Sequence, residues 1–156
     1  MLRVLRISFF TLVLAGAVLI GAGYLAEQRA RAFSEKAVRE IFAEWDYQAA
    51  RRIMMKRMRE SPRMDVEGPK VLQWGNEALG PLQDGGKPFG GIALWWGRTE
   101  DPHWLLGQYE FDARFKNGEA NLEIGVVWED WAWRISRYRF DSPALHGSPL
   151  GGGAPN

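Results

Sequence analysis

The chain has 156 residues, of which 46% are apolar and 25% are charged, and its formal net charge is +1. This composition fits one globular domain and excludes a largely disordered chain. A charge so close to zero provides no long-range field for polyanions, so we expect no nucleic-acid partner. The lack of cysteine excludes disulfides, thiol catalysis and sulfur-ligated metal sites.

The first 26 residues predict a membrane anchor. Residues 1–6 form a short basic segment with Arg3 and Arg6, and residues 7–26 carry no charge. A helix of about 20 apolar residues spans the hydrocarbon core of a bilayer. The apolar region of a signal peptide is shorter, about 7–15 residues, and ends in a small-x-small motif. The longer run here favours an uncleaved transmembrane anchor over a cleaved signal peptide.

The charges on either side of this run bear on its orientation. Two arginines precede it, whereas four basic residues follow it closely: Arg29, Arg31, Lys36 and Arg39. The positive-inside rule therefore opposes export of the C-terminal part. A short basic start is nevertheless typical of an export signal. We expect a single-pass protein of the cell membrane with its domain on the extracytoplasmic, periplasmic side.

Helical periodicity follows the apolar run. Between residues 27 and 59, larger apolar residues recur at steps of three and four, which predicts one or two amphipathic helices. Ser61-Pro62 is expected to end them, and residues 61–70 to form a loop. A shorter helix should follow over residues 70–82 and stop near Gly80 and Pro81. The Gly- and Pro-rich residues 82–91 are expected to be a connector.

Three strands of a β-meander are predicted after residue 104. Apolar residues alternate with polar ones over residues 109–116 and again over 120–128. Between them Asn117-Gly118 predicts a type I′ turn, because both residues tolerate a positive φ. That turn would place Phe111 opposite Ile124 and Lys116 opposite Glu119. In the third strand the alternation changes phase near Ser136-Arg137, which predicts a β-bulge.

These elements resemble small extracytoplasmic members of the nuclear transport factor 2-like (cystatin-like) superfamily. The resemblance lies in Leu-Gly-Pro-Leu at 79–82, Tyr-x-x-x-Ala-x-Phe-x-Asn-Gly-x-Ala at 109–120 and the aromatic strand at 133–140, and it covers roughly residues 44–143. It implies an α+β domain over residues 27–143, with a curved antiparallel sheet wrapped around N-terminal helices and a pocket between them. Residues 144–156, rich in Gly, Pro and Ser, are predicted to be a disordered tail.

Tryptophan is concentrated in one part of the chain, since six of the eight tryptophans lie between residues 95 and 140. One interpretation is a ligand pocket or partner surface under the sheet, formed by Trp95, Trp96, Trp104, Trp128 and the inward-facing Tyr109. The alternative is core packing, which we favour for Trp45, Trp128 and Trp133 because a small domain needs bulky residues. Adjacent strand residues point to opposite faces, so Trp95 and Trp96 cannot both be core.

Candidate catalytic groups are few. Asp46 on the first predicted domain helix is the one carboxylate considered for the candidate site, with helix capping or surface exposure as the alternative. His103 and His146 lack the spacing of metal ligands. We therefore predict no catalytic residue, metal or cofactor.

A basic segment at residues 51–59, RRIMMKRMR, has two interpretations. It could face anionic lipid headgroups, or it could be a solvated helix face over buried methionines. The predicted outer face of the sheet is charged, so we expect the domain to be a monomer.

Together these features predict a membrane-anchored extracytoplasmic binding or assembly module, whose partner would be an envelope protein. The alternative is a domain that binds an apolar small molecule, or a pocket enzyme for one.

Overall fold

The computed structural model describes residues 2–94 and 105–145, with side chains from Leu14 onward. The architecture is α+β: a long N-terminal helix packs on a curved antiparallel sheet. Three shorter helices lie between the long helix and the first strand. The predicted fold class is confirmed at this level.

Helix α1 runs without a break from Leu2 to Phe42 and has two parts of different character. The part from Leu14 to Leu25 exposes large apolar side chains to the surroundings. The part from Ala26 onward packs on the sheet and buries one face, which includes Ala30, Ala37, Val38, Ile41 and Phe42. Among the described residues, no helix is both long and apolar enough to cross a membrane.

The remaining helices are α2 (Tyr47–Ile53), α3 (Lys56–Arg59) and α4 (Pro62–Leu79). The predicted amphipathic stripe therefore falls on α1, α2 and α3. The predicted loop over residues 61–70 is wrong, because Pro62 begins α4 instead of ending a helix. At the first helical position the fixed φ of proline suits the helix and its missing N–H is not needed. Gly80, with φ 72°, ends α4 as expected.

The sheet has five strands: β1 (Leu82–Asp84), β2 (Phe89–Leu94), β3 (Leu105–Phe115), β4 (Gly118–Glu129) and β5 (Ala132–Asp141). Its order is β1-β3-β4-β5, and β2 also pairs with β3, so β1 and β2 share one edge. The predicted connector over residues 82–91 therefore contains β1 and the start of β2. Gly86 and Gly90 allow this segment to lie close to β3. A Cβ atom at either position would clash with a β3 carbonyl oxygen, at 2.4 Å or less.

The predicted register of the β3–β4 hairpin is wrong by two residues. Phe111 pairs with Leu122 and Phe115 with Gly118, so the turn is Lys116-Asn117, and neither Asn117 nor Gly118 has a positive φ. A two-residue shift keeps every side chain on its predicted face, so alternation cannot detect it. The backbone N–H groups of Lys116 and Asn117 donate to Pro81 O and Leu79 O at 3.1 and 2.9 Å. The end of α4 therefore holds the turn in this position.

The outer face of the sheet carries pairs of charged side chains. The predicted Lys116–Glu119 pair is replaced by Arg114–Glu119, with nitrogen and oxygen 3.6 Å apart. Arg137 Nη1 lies 3.4 Å from Glu123 Oε1. On β5, Gly125 pairs with Arg137 and Val126 with Ile135, so Ser136 is the extra residue of the predicted bulge, which is confirmed.

The core lies between the sheet and the helices. At the end of the domain that holds the β3–β4 turn, this core consists mainly of aromatic side chains. Trp45 is 5% exposed and lies against Phe42, Phe115 and Phe140, with ring centroids 5.0 to 5.4 Å apart. Its indole N–H donates to Gly80 O at 2.8 Å. A short 3₁₀ helix, Pro143–Leu145, follows β5, and Leu145 is buried. The domain therefore reaches at least Leu145, two residues beyond the predicted boundary.

Substitution of Phe111 tests whether this residue belongs to the core. It is 1% exposed, so Phe111→Ala should lower the free energy of unfolding by about 3–5 kcal/mol through lost burial and the cavity left behind. Phe89 is the matched control, because it is 81% exposed on the neighbouring strand, and Phe89→Ala should change stability by less than about 0.5 kcal/mol. Guanidinium unfolding of both variants measures the difference. Equal effects would contradict the assignment of Phe111 to the core.

Candidate functional site

The structure describes only part of the residues that the sequence grouped in one candidate pocket. Trp95, Trp96 and Trp104 lie outside the described residues, as do both histidines. Tyr109 lies within β3 and is fully buried. Trp128, near the end of β4, is partly buried and contacts Trp133 edge-on, with ring centroids 5.3 Å apart. Tyr109 and Trp128 therefore have packing roles in the described part of the chain.

Asp46 caps a helix. It is the N-cap residue of α2, and its Oδ1 accepts a hydrogen bond from Gln48 N at 2.7 Å. This satisfies one of the N–H groups that a helix start leaves unpaired. The capping alternative is thus confirmed, and the interpretation of Asp46 as a site carboxylate finds no support in its contacts.

A group of polar contacts that we call the edge clamp joins α1 to the sheet. Glu27 accepts hydrogen bonds from Ile92 N at 2.7 Å and from the Tyr109 hydroxyl at 3.2 Å. Arg31 lies 3.5 Å from Glu27 and donates to Pro88 O and Gly90 O at 3.1 and 3.2 Å. The edge clamp consists of Glu27, Arg31, Tyr109 and these backbone groups of residues 88–92.

The edge clamp makes hydrogen bonds to the backbone near and within β2 that a neighbouring strand would otherwise make. Among the described strands, none lies beside the outer edge of β2, which presents backbone N–H and C=O groups. An acid and a base four residues apart on one helix face satisfy both kinds of group. Burial, and secondly the negative charge of Glu27, raise the pKa of Tyr109 well above its ordinary value. Its hydroxyl therefore remains a protonated donor at physiological pH.

Two cavities are lined by described residues. One of about 420 Å³ lies between α1 and β1 and is lined by residues that include Glu35, Arg39 and Phe111. Another of about 580 Å³ lies on the outer face beside Asp112 and Arg114. Neither is lined by a tryptophan. Within the described ranges, no cluster of three or more Asp, Glu or His could hold a metal ion.

The turn between β4 and β5 has an unusual conformation. Glu129 pairs with Ala132, so Asp130 and Trp131 are the two central residues, and their φ angles are 48° and 62°. Positive φ at both centres is the condition for a type I′ turn, which normally selects Asn or Gly. For a residue as bulky as Trp this conformation costs about 1–3 kcal/mol. Trp131 is nevertheless 91% exposed, so no packing contact offsets the strain.

The basic segment lies beside the base of this hairpin. Lys56 N donates to Glu129 Oε2 at 2.8 Å, and Arg134 donates to Arg52 O at 3.3 Å. Met54 and Met55 are buried beneath, and Met55 N donates to Ile135 O at 2.9 Å. The methionines thus attach residues 51–59 to the β5 edge, while the side chains of residues 52, 56 and 57 are exposed.

The direction of α1 defines the two ends of the domain. Glu27 contacts Tyr109, and fifteen residues later Phe42 contacts Phe115, so α1 runs in the same direction as β3 and opposite to β4. Tyr109 pairs with Ile124, and roughly 20 Å of extended strand separates Ile124 from Trp131. The β4–β5 turn therefore lies at the end of the domain from which the exposed apolar part of α1 leaves.

Two features of this end were not anticipated from the sequence. An acid and a base at i and i+4, as at Glu27 and Arg31, indicate a paired helix face, but this spacing does not show that the pair binds the sheet edge. The exposure of Trp131 has no signal in the sequence, because Asp-Trp is not a recognised turn pair.

Comparison with known proteins supplies no relative. No family model matches the chain, and no curated protein or solved structure matches it significantly. The chemistry of the site therefore has to be argued from its own residues.

Removal of the Glu27 carboxylate tests the edge clamp. Glu27→Ala should lower the free energy of unfolding by about 1–3 kcal/mol, because it leaves the Ile92 N–H and the Tyr109 hydroxyl without their acceptor. Glu40→Ala is the control on the same helix, because Glu40 pairs with the exposed Lys36 and its removal should cost less than about 1 kcal/mol. Urea unfolding compares them. A Glu27→Ala variant as stable as the control would show that the clamp does not hold α1.

Proposed function

We propose that this chain is a single-pass membrane protein whose α+β domain acts outside the cytoplasm as a binding or assembly module. The observation that carries the proposal is the exposed apolar part of α1. Leu14, Val18, Leu19, Ile20, Tyr24 and Leu25 are each between 55% and 76% exposed.

These side chains point in all directions around the helix. At 100° per residue, positions 14, 18, 19, 20, 24 and 25 cover the whole circumference and form no single stripe. A helix that is apolar on every side is stable when it is surrounded by other apolar groups, as in a bilayer. Together with residues 7–13 this segment forms an uncharged run of the length that spans a membrane.

The absence of a linker suggests what the anchor is for. Glu27 follows the apolar run directly and is already bound to the sheet. A domain joined to its anchor by one continuous, clamped helix has a fixed orientation relative to the bilayer. Such an arrangement suits a protein that presents a surface to membrane-attached neighbours, and we propose an envelope protein as the partner.

We also propose membership of the nuclear transport factor 2-like superfamily. The supporting observations are a long N-terminal helix on a curved antiparallel sheet and the three sequence elements of the resemblance. The ligand-binding or enzymatic alternative depends on Trp95, Trp96 and Trp104. It receives no support from the described interior, where aromatic side chains occupy the space between helix and sheet at the β3–β4 turn end.

Charges placed in the apolar run test the anchor. Each arginine near the centre of a span opposes insertion by about 2.5–3.5 kcal/mol, so Leu14→Arg combined with Val18→Arg should abolish carbonate-resistant association with membranes. Gln28→Arg adds a charge to the same helix beyond the run and should leave membrane association unchanged. Immunoblots of carbonate-extracted membranes give the readout. Wild-type protein in the soluble fraction would contradict the anchor.

The lack of native cysteine allows a direct test of orientation. Asn117→Cys places one thiol in the β3–β4 turn of the domain, and Leu2→Cys places one at the start of the chain. A membrane-impermeant maleimide should label Asn117→Cys in intact cells whose outer barrier has been removed. It should label Leu2→Cys only after lysis. The reverse pattern would place the domain in the cytoplasm.

The domain should be a monomer in solution. Its outer sheet face carries charges paired within the sheet, and stacking this face on a second copy would desolvate them without assured partners. A fragment covering residues 27–145 should sediment as a monomer at micromolar concentrations in analytical ultracentrifugation, and Glu123→Lys should not change its mass. A dimer that Glu123→Lys dissociates would show that the outer face is an interface.

A further inference from the structure

We propose that the free edge of β1 is a docking cleft for an extended segment of the partner protein. The segment adds a strand beside β1 and places an aliphatic side chain in the cavity between β1 and α1. This inference rests on the proposed function, because it assigns to the binding module the part of its surface that the partner occupies. It also defines what is recognised, namely an extended backbone and one apolar side chain.

The first observation is the cavity between α1 and β1. Its volume is about 420 Å³, and its walls come from α1 and from residues 82–86. Val38, Leu82 and Phe111 line it together with the charged residues Glu35 and Arg39. An apolar cavity with a few polar groups is the usual form of a binding site. This cavity therefore suits an apolar group that is attached to a polar chain.

The second observation is the backbone of β1. This strand has β3 on one side and, among the described strands, none on the other. Leu82 lies opposite Phe115, and Lys116 N donates to Pro81 O. In an antiparallel ladder this pattern means that Leu82 and Phe115 exchange no hydrogen bonds, so Leu82 directs its N–H and C=O groups away from β3. An added strand can pair with both groups.

The third observation is a second acid and base on α1. Glu35 and Arg39 repeat the spacing of Glu27 and Arg31 about two turns further along the helix. In the edge clamp, the first pair binds N–H and C=O groups of the extended residues 88–92. Within the described part of the chain, the side chains of the second pair make no hydrogen bond or ion pair, although both line the cavity beside β1. The second pair can therefore bind the backbone of a guest segment by the same chemistry.

The length of the cleft matches a short extended segment. The residues of α1 that line the cavity run from Glu35 to Ala43, which corresponds to about 12 Å of helix. An extended chain covers this distance with about four residues. Successive side chains of a strand point to opposite sides, so the guest can direct one apolar side chain towards Val38 and Phe111 while its neighbours face solvent.

An extended peptide uses all three features together. Its backbone pairs with Leu82, its apolar side chain fills the cavity, and its remaining polar groups face Glu35 and Arg39. A small apolar molecule would use the cavity alone. A compact folded surface would not bring an unpaired backbone to β1. The arrangement therefore favours an extended segment as the occupant.

Phage display of short random linear peptides, panned against the full chain in detergent micelles, tests the cleft. Multivalent display recovers weak binders through avidity. The selected peptides are synthesised, and fluorescence anisotropy measures their dissociation constants for the wild-type chain and two double variants. Glu35→Ala with Arg39→Ala removes the pair in the cleft. Lys36→Ala with Glu40→Ala is the control, because it removes an acid and a base of the same spacing that do not line the cavity.

The selected peptides should carry an aliphatic residue and bind the wild-type chain and the control with equal affinity. They should bind the Glu35→Ala, Arg39→Ala chain at least about tenfold more weakly, because two charge-assisted hydrogen bonds are lost. None of the four substituted side chains is buried, so both variants should fold. Methylation of a backbone nitrogen in the bound part of the peptide should also weaken binding. In hydrogen-exchange NMR, the peptide should slow the exchange of the Leu82 amide.

Three results would overturn the cleft: no selected peptide, equal binding to both double variants, or binding that survives methylation at every peptide nitrogen. The carbonate extraction described above reports separately on the anchor. A chain that resists extraction but selects no peptide dependent on Glu35 and Arg39 would overturn the cleft and leave the anchor intact. A chain found in the soluble fraction would overturn the anchor, whereas peptide binding that depends on this pair would still support the cleft.

Discussion

A carboxylate at the start of the packed half of α1 satisfies polar groups that the sheet edge would otherwise leave without a partner. Glu27 accepts from Ile92 N and from the buried Tyr109 hydroxyl, and Arg31 donates to two β2 carbonyls. These contacts connect three elements that are distant in sequence. They fix where α1 crosses the sheet, and they therefore determine which end of the domain faces the apolar part of the helix.

Residues from the N-terminal half of the chain contact both edges of the sheet. The clamp closes β2, while Met55 N pairs with Ile135 O on β5 and covers that edge at one point. Exposed edges invite pairing with other chains, and this protection opposes such pairing. At one end of the domain aromatic side chains around Trp45 fill the core. At the other end lie the strained β4–β5 turn and the basic segment.

The faces of the strands could be predicted from the sequence, but their register could not. Alternation assigned Phe111 and Leu122 to the core and located the bulge at Ser136, because side-chain period is a local property. The pairing differs by two residues because the carbonyls of Leu79, at the end of α4, and of Pro81 accept hydrogen bonds from the turn, and that contact is not local. Pro62 was misread because proline both ends and begins helices. The exposure of Trp131 could not be predicted, because a pattern of residues does not show exposure.

We propose that the anchor and the domain form one rigid unit through an unbroken α1 held by the edge clamp. Gly21 and Gly23 lie just before the clamp, where glycine would favour a joint if the helix were not held. Hydrogen exchange of the full chain in nanodiscs, followed over residues 20–34, measures this most directly. We expect slow exchange throughout, as in a continuous helix. Fast exchange confined to residues 21–26 would show a flexible joint, and the domain would then have no fixed orientation on the membrane.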